Sequence, residues 1–351
     1  QIAFTFDLAE GPLLKAMLLE ETEENHLFIF SMHHMIGDEL SIGRLIKELI
    51  HYYNFYNGDI ETDLPLSNIQ YKDYSFWMQS LIEQNGLTDQ KAYWLERLSG
   101  EIKPLKFGAD MFSENKDTFK GSSLSFDVKK ETSDRILELS KSYDISEFCF
   151  YLAAFKSFLY LYTHQEDIII GIPVSAREHF DLQNQIGFYV NLLPIRTKFS
   201  GDTVFDHVLR DTGKQVVEAL RHQMYPLEHL TTELNFKRDG GSSGYITTGF
   251  TWTANQIKDV SFNENLVLKA CPVKTSIVKH DLWLFGDGKE FFIEYRENLF
   301  SEDAMNIFIE RFLVFIDGLS FDAKNALNRY SITTNMEKEL MSKKINISIN
   351  F

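Results

Sequence analysis

Two periodicities alternate along the chain, and the first change from one to the other is the most informative. His26 to Met32 (HLFIFSM) is an apolar, aromatic-rich run that reads as a buried strand. From Leu40 to Tyr53, the residues Ile42, Leu45, Ile46, Leu49 and Tyr52 fall on one stripe at helical spacing. Residues 33–39 are therefore a strand-to-helix turn. The polar stretch Asn57 to Leu66 (NGDIETDLPL) follows as the best connector between lobes. Helices are predicted over 71–82 and 88–98, the second with Thr88 as N-cap and Gly100 as its stop. A strand over 122–128 and helices over 131–143 and 146–162 lead into Asp167 to Pro173 (DIIIGIP), a β-branched run suited to a central strand. Further helices are expected over 206–223 and 227–234, with Pro226 shaping the start of the latter. Strands follow at 246–252, 266–270, 281–285 and 290–295, the last two joined by the hairpin signal Gly286-Asp-Gly288. Ser301 caps a last helix to about Leu319, and the tail from Asn328, with scattered apolar residues among Lys, Ser and Asn, reads as a linker.

This order is α/β throughout, without repeats or low-complexity tracts. At 351 residues and 44% hydrophobic content the chain buries a large core and exceeds one typical domain. No apolar run is long enough to span a membrane and no signal peptide opens the chain, so the expected location is the cytoplasm. Cys149 and Cys271 supply no disulfide framework. A formal charge of −16 would repel phosphate backbones, which argues against nucleic acid as a partner.

The chemistry concentrates in the turn His33-His34-Met35-Ile36-Gly37-Asp38. Neighbouring side chains of an extended segment point to opposite faces, so the two imidazoles cannot enter one cavity: one works and the other is structural. The bland reading is a hydrogen-bonded histidine pair in the core. A metal site fits less well, since adjacent histidines chelate one ion poorly and there is no HExxH helix. Asp38, four positions beyond His34, either orients the ring or holds the turn by pairing with an arginine. Asn191 either bonds a substrate carbonyl or satisfies backbone at a strand end. Trp77 and Trp94 read as core, Arg196 as a surface charge, and Gly240 to Gly244 (GGSSG) as a flexible loop that lacks the Lys-Ser/Thr of a phosphate-binding loop.

Several segments, in order, resemble condensation domains of nonribosomal peptide synthetases over nearly the whole chain. They are Phe6 to Leu13 (FDLAEGPL), Ser31 to Ser41 against the HHxxxDG signature, Tyr71 to Trp77 (YKDYSFW), Gly171 to Arg177 (GIPVSAR), Ile186 to Arg196 (IGFYVNLLPIR), His222 to Glu228 (HQMYPLE), and His280-Asp-Leu282 with Glu294-Tyr295. Two places depart from the pattern. Glu39 stands where the signature ends in glycine, and Gly240 to Tyr245 replaces the usual Ser-Arg-Asn/Ser-Pro. The resemblance implies two chloramphenicol-acetyltransferase-like lobes in a V around a central tunnel. The first lobe would be incomplete, because the two earliest family motifs should precede Phe6. Residues 1–65 would be its remainder, 66–327 the second lobe and 328–351 a linker to a following domain.

The same resemblance assigns the inward role to His34, as base or positioner, with His33 beside it and Glu39, Gly37, Asn191 and Tyr189 at the substrate tunnel. It favours a structural Asp38 and places the usual arginine partner in the missing early segment, so the turn is expected to depend on residues outside this chain. The implied activity is amide formation between a carrier-bound acyl or peptidyl thioester and a carrier-bound amino acid. No cofactor would be bound directly, because substrates ride on phosphopantetheine arms. Upstream and downstream peptidyl carrier proteins and an adenylation domain are the implied partners. The alternatives are a catalytically degenerate platform docking carriers or tailoring enzymes, and a free-standing acyltransferase, against which the YxDxxxW, GFxVN and HQxxPxE segments speak.

Overall fold

A computed structural model describes residues 5–61, 64, 69–107, 119–234, 246–253, 260–262, 266–271 and 276–348. In chain order the elements are β1 (Leu14–Glu20), β2 (His26–Met32), α1 (Glu39–Asn57), α2 (Tyr71–Glu83), α3 (Thr88–Arg97), β3 (Gly121–Asp127), α4 (Lys130–Ser142), α5 (Glu147–Thr163), β4 (Asp167–Val174) and β5 (Asn191–Lys198). After them come α6 (Phe205–Arg221), α7 (Leu227–Glu233), β6 (Thr248–Trp252), β7 (Val260–Ser261), β8 (Val267–Leu268), β9 (Leu282–Gly286), β10 (Glu290–Arg296), α8 (Glu302–Phe321) and α9 (Asn335–Ser348). They form two compact units: Gln1–Thr88 with Ser175–Asn191 and Ile257–Cys271, and Asp89–Val174 with Leu192–Gln256 and Pro272–Phe351. The expected single cut after residue 65 thus falls inside the first unit, which two later segments rejoin. Gly240 to Gly244 lies outside the described residues.

In the first unit β1 and β2 pair antiparallel, from Leu14 opposite Met32 to Glu20 opposite His26. The pattern reads β2 as buried, yet none of its residues is. Its sheet has two strands, and a two-stranded sheet leaves side chains such as Leu18 (64% exposed) and Leu27 (40%) in contact with water. The α1 helix is set at both ends: the Asp38 carboxylate accepts from Ser41 N, and Gly58 closes it at φ 86°. The short β7 and β8 replace the longer strand expected at 266–270, and pair with each other.

The second unit is built on a six-stranded sheet in the order β3-β10-β9-β6-β4-β5. β10 pairs antiparallel with both β3 and β9, while β6 pairs parallel with both β9 and β4. The β9–β10 hairpin turns through Gly288 at φ 96°, as its sequence requires. Gly249 in β6 lies against the Trp283 ring, where an added Cβ would come within 2.3 Å of ring carbons. Asn191 was read at a strand end without a strand range, and the structure supplies one, β5, with Pro194 inside it. As the outermost strand it tolerates a residue with no N–H to give. Against the sheet lies α5, capped by Ser146 and buried from Cys149 through Leu159, with Phe158 in ring contact with Phe308, Phe312 and Phe315 of α8.

The tail differs from the expected linker. Thr334 and Glu337 exchange hydrogen bonds at the start of α9, and Arg311 of α8 pairs with Glu337. Among the described residues, local capping and one ion pair, and no buried apolar stripe, tie this helix to the protein. Among the described residues no helix is long and apolar enough to cross a membrane.

Candidate active site

The histidine turn is built from the end of β2. His33 is extended at φ −68°, ψ 134°, and caps a single 3-10 turn over His34–Ile36, its Nδ1 accepting from Met35 N at 3.2 Å. His34 Nδ1 lies 2.9 Å from the Gly37 carbonyl. A carbonyl only accepts, so this contact assigns the proton of neutral His34 to Nδ1 and leaves the lone pair on Nε2. For His33 the assignment is the reverse, since its Nδ1 accepts from an N–H. The two rings therefore have opposite tautomers as well as different surroundings. His33 is half-buried with its ring edge-on to Phe6 at 6.0 Å. His34 is exposed and meets the Phe188 ring edge-on at 5.0 Å.

Gly37 is buried and extended. An added Cβ would lie 2.4 Å from Met32 Cε, the movable end of a flexible side chain, and the Gly37 carbonyl orients His34. Asp38 follows, 1% exposed. Arg177 grips it in bidentate fashion, Nη1 to Oδ2 at 2.7 Å and Nη2 to Oδ1 at 2.8 Å. Oδ1 also accepts from Ser41 N and lies 2.8 Å from Ser41 Oγ, while Oδ2 accepts from Tyr189 N at 3.2 Å. Burial alone would raise the Asp38 pKa. The hydrogen bonds from Arg177 and Ser41, with the Arg177 charge, outweigh it and hold the carboxyl below its ordinary value.

The arginine partner thus lies within this chain, at the end of the GIPVSAR segment, and not in a preceding one as expected. Ser41, wholly buried, ties the same network to Gly187: its Oγ lies 2.9 Å from Gly187 O and accepts from Gly187 N at 3.1 Å. One hydroxyl proton serves either the carbonyl or Asp38. Segment 185–189 therefore meets the turn through Gly187, Phe188 and Tyr189. Sequence reasoning missed Arg177, Ser41 and Phe188 as site residues, although Asp38 with Ser41 three positions on carries the signal of a helix N-cap.

The remaining expected site residues divide. Tyr189, 2% exposed, stacks beneath the Arg177 guanidinium at 4.3 Å and packs with Tyr71 and Tyr74, so it supports the ion pair. Glu39 is exposed in the first turn of α1, where a carboxylate suits the helix dipole and the backbone does not ask for glycine. Partial loss of water and then the neighbouring Asp38 charge push its pKa up. Asn191 is half-buried at the start of β5.

Elsewhere two expectations change, those for Arg196 and Trp77. The Arg196 side chain is 7% exposed, gives three hydrogen bonds to Asp167 and others to Ser99 O and Glu101 O, and is no free surface charge. Trp94 is core, donating to His222 O at 2.8 Å, but Trp77 is 46% exposed. The apolar run of α5 hides Lys156, wholly buried, whose Nζ donates to Thr197 Oγ1 at 2.8 Å and whose pKa burial lowers to about 7. His280 is likewise kept neutral by burial, with its pKa lowered to about 4, and its ring lies on Trp283.

A family model described as Condensation domain matches residues 1–342. Surfactin synthase subunit 1 of Bacillus subtilis (strain 168) is 30% identical over 340 residues, which are 96% of this chain and 9% of that protein. Tyrocidine synthase 3 of Brevibacillus parabrevis is 29% identical over 341 residues, 96% of this chain and 5% of that protein. The chain spans under a tenth of the length of either relative. Among solved structures, the X-domain from teicoplanin biosynthesis has a TM-score of 0.84 at 18% identity, covering 93% of this chain and 76% of that one, a likeness of fold. By family model and relatives together, the chain belongs to the condensation-domain family of nonribosomal peptide synthetases, with that family's chloramphenicol-acetyltransferase-like α/β fold.

Proposed function

We propose that the chain joins a carrier-bound acyl or peptidyl thioester to a carrier-bound amino acid through an amide bond, with His34 as the group that takes or holds the amine proton. The observation that carries this reading is the His34 Nδ1 to Gly37 carbonyl contact, which leaves Nε2 of an exposed ring as an acceptor. In the reaction the acceptor nitrogen attacks the donor carbonyl, the C–N bond forms and the C–S bond breaks. The amine proton passes by way of His34 Nε2 to the departing thiolate. An α-amino group with a pKa of about 8 is largely protonated near neutrality, so an acceptor for its proton has work to do.

Two contributions supply the rate. Holding tethered substrates in line reaches effective molarities of about 10⁵ M or more, and proton transfer adds roughly 10²- to 10⁴-fold. Donor and acceptor arrive on phosphopantetheine arms of upstream and downstream carriers, with an adenylation domain charging the acceptor. Asn191 is the proposed partner of a substrate carbonyl. Asp38 and Arg177 act at a distance, by fixing the turn.

Single-turnover amide formation with loaded carriers tests the assignment. His34→Ala should lose about 10²-fold or more while melting like wild type, whereas His33→Ala, which removes the cap on the 3-10 turn, should lower the melting temperature more than the rate per folded molecule. Near-normal turnover by His34→Ala would leave positioning alone as the mechanism. The second reading, a silent docking platform, rests on Glu39 in place of the signature glycine. Glu39→Gly should change the rate or substrate preference modestly. A wild type without condensation that gains it on Glu39→Gly would establish the platform instead.

A further inference from the structure

Outside the histidine turn, the second unit holds a cavity of about 260 Å³ lined by Tyr93, Arg97, Lys198, Asp211 and Gln215, with Arg196 and Trp94 at its wall. It lies at β5, the outermost strand, where one row of backbone N–H and C=O groups is not used by the sheet. Its charges do not cancel. Arg196 is spent on Asp167, and Asp211 accepts from Gln215 Nε2. Arg97 and Lys198 have no ion-pair partner among the described residues, and Arg97 hydrogen-bonds the Tyr93 hydroxyl. Gln215 is 6% exposed, yet its Oε1 has no hydrogen-bond partner among the described residues.

Against these two cations stands one carboxylate, Asp211, so the lining keeps a net positive charge in a chain of formal charge −16, whose general field repels anions. An unsatisfied buried acceptor beside them costs stability until something donates to it. Tyr93 stacks one face of its ring on His222 at 4.0 Å and lends the cavity an aromatic side. We propose that this cavity binds a small organic anion, a carboxylate or phosphate gripped by Arg97 and Lys198, carrying a hydrogen-bond donor for Gln215 Oε1. At about 260 Å³ the cavity suits a small ligand, of about the size of citrate. The site shares no residue with the proposed condensation chemistry and stands or falls apart from it.

The test is titration of the whole protein with citrate and with pyrophosphate, followed by calorimetry and by fluorescence of the cavity's Trp94. Both cationic side chains are exposed, so Arg97→Ala/Lys198→Ala should keep the wild-type melting curve. Saturable binding to wild type, weakened about tenfold or more in the double variant and by added salt, is expected. Citrate alone binding identifies a carboxylate ligand, and pyrophosphate alone a phosphate one. No saturable binding of either anion, or equal binding by a folded double variant, overturns the proposal.

Discussion

At the scale of residues, the site is a matter of which atom holds which proton. His33 and His34 are neighbours with opposite hydrogen-bond partners, an N–H for one Nδ1 and a carbonyl for the other. Nitrogen NMR of the neutral protein should therefore find Nδ1 protonated in His34 and Nε2 protonated in His33. The same tautomer in both rings would contradict the turn as described. Asp38 offers a stability test with a definite sign. Its folded pKa is lowered, so its stabilising contribution is full above the ordinary carboxylate pKa of about 3.9 and is lost as pH falls through the lower folded value. Asp38→Asn breaks a buried bidentate pair and should cost roughly 3–5 kcal/mol at neutral pH. Its deficit against wild type should shrink in strong acid, and a deficit constant across that range would argue against the ion pair as its source.

At the scale of elements, two positions show how local choices hold the architecture. Ser41 joins the start of α1 to Gly187, 146 residues away. Ser41→Ala leaves the Gly187 N–H and one Asp38 lone pair short of a partner and should lower stability by about 1–3 kcal/mol, read from the denaturation midpoint. Gly249→Ala would press a methyl into the Trp283 ring within β6, and overpacking of this kind costs roughly 1–3 kcal/mol. An unchanged melting temperature for Gly249→Ala would show that the ring has room to move. What the sequence made legible here was local. The strand, the turn and α1 could be read because period-two and helical patterns meet at residues 33–39, and the β9–β10 hairpin because its turn residues are adjacent. The Arg177 partner was not legible, since a pair 139 residues apart leaves no periodic trace. The α9 helix was hidden because its hold on the protein is a cap and an ion pair, and the exposure of β2 because burial depends on how many strands join a sheet.

At the scale of the whole molecule, the charges left inside are as telling as the apolar core. Lys156 sits in the middle of α5 among eleven buried residues, so its amine is partly deprotonated near neutrality. Because its folded pKa of about 7 lies below the unfolded one, the unfolded chain binds the extra proton, and this group destabilises the fold until pH rises past its unfolded pKa. Lys156→Met should raise the melting temperature at pH 7, with the gain shrinking towards pH 10. An equal gain at both values would mean that the lysine charge is not what costs stability. Family membership and fold were legible in the ordered motifs, but which unit owns each segment was not, because 175–191 and 257–271 return to the first unit from far along the chain. The central claim, that this fold and its exposed His34 make amide bonds and do not merely dock partners, is tested most directly by mixing the wild-type protein with one donor-loaded and one acceptor-loaded carrier and weighing both carriers by mass spectrometry. The expected result is donor and acceptor joined on the acceptor carrier, with the donor carrier returned as a free thiol. Both carriers bound by the protein yet unchanged in mass would contradict it.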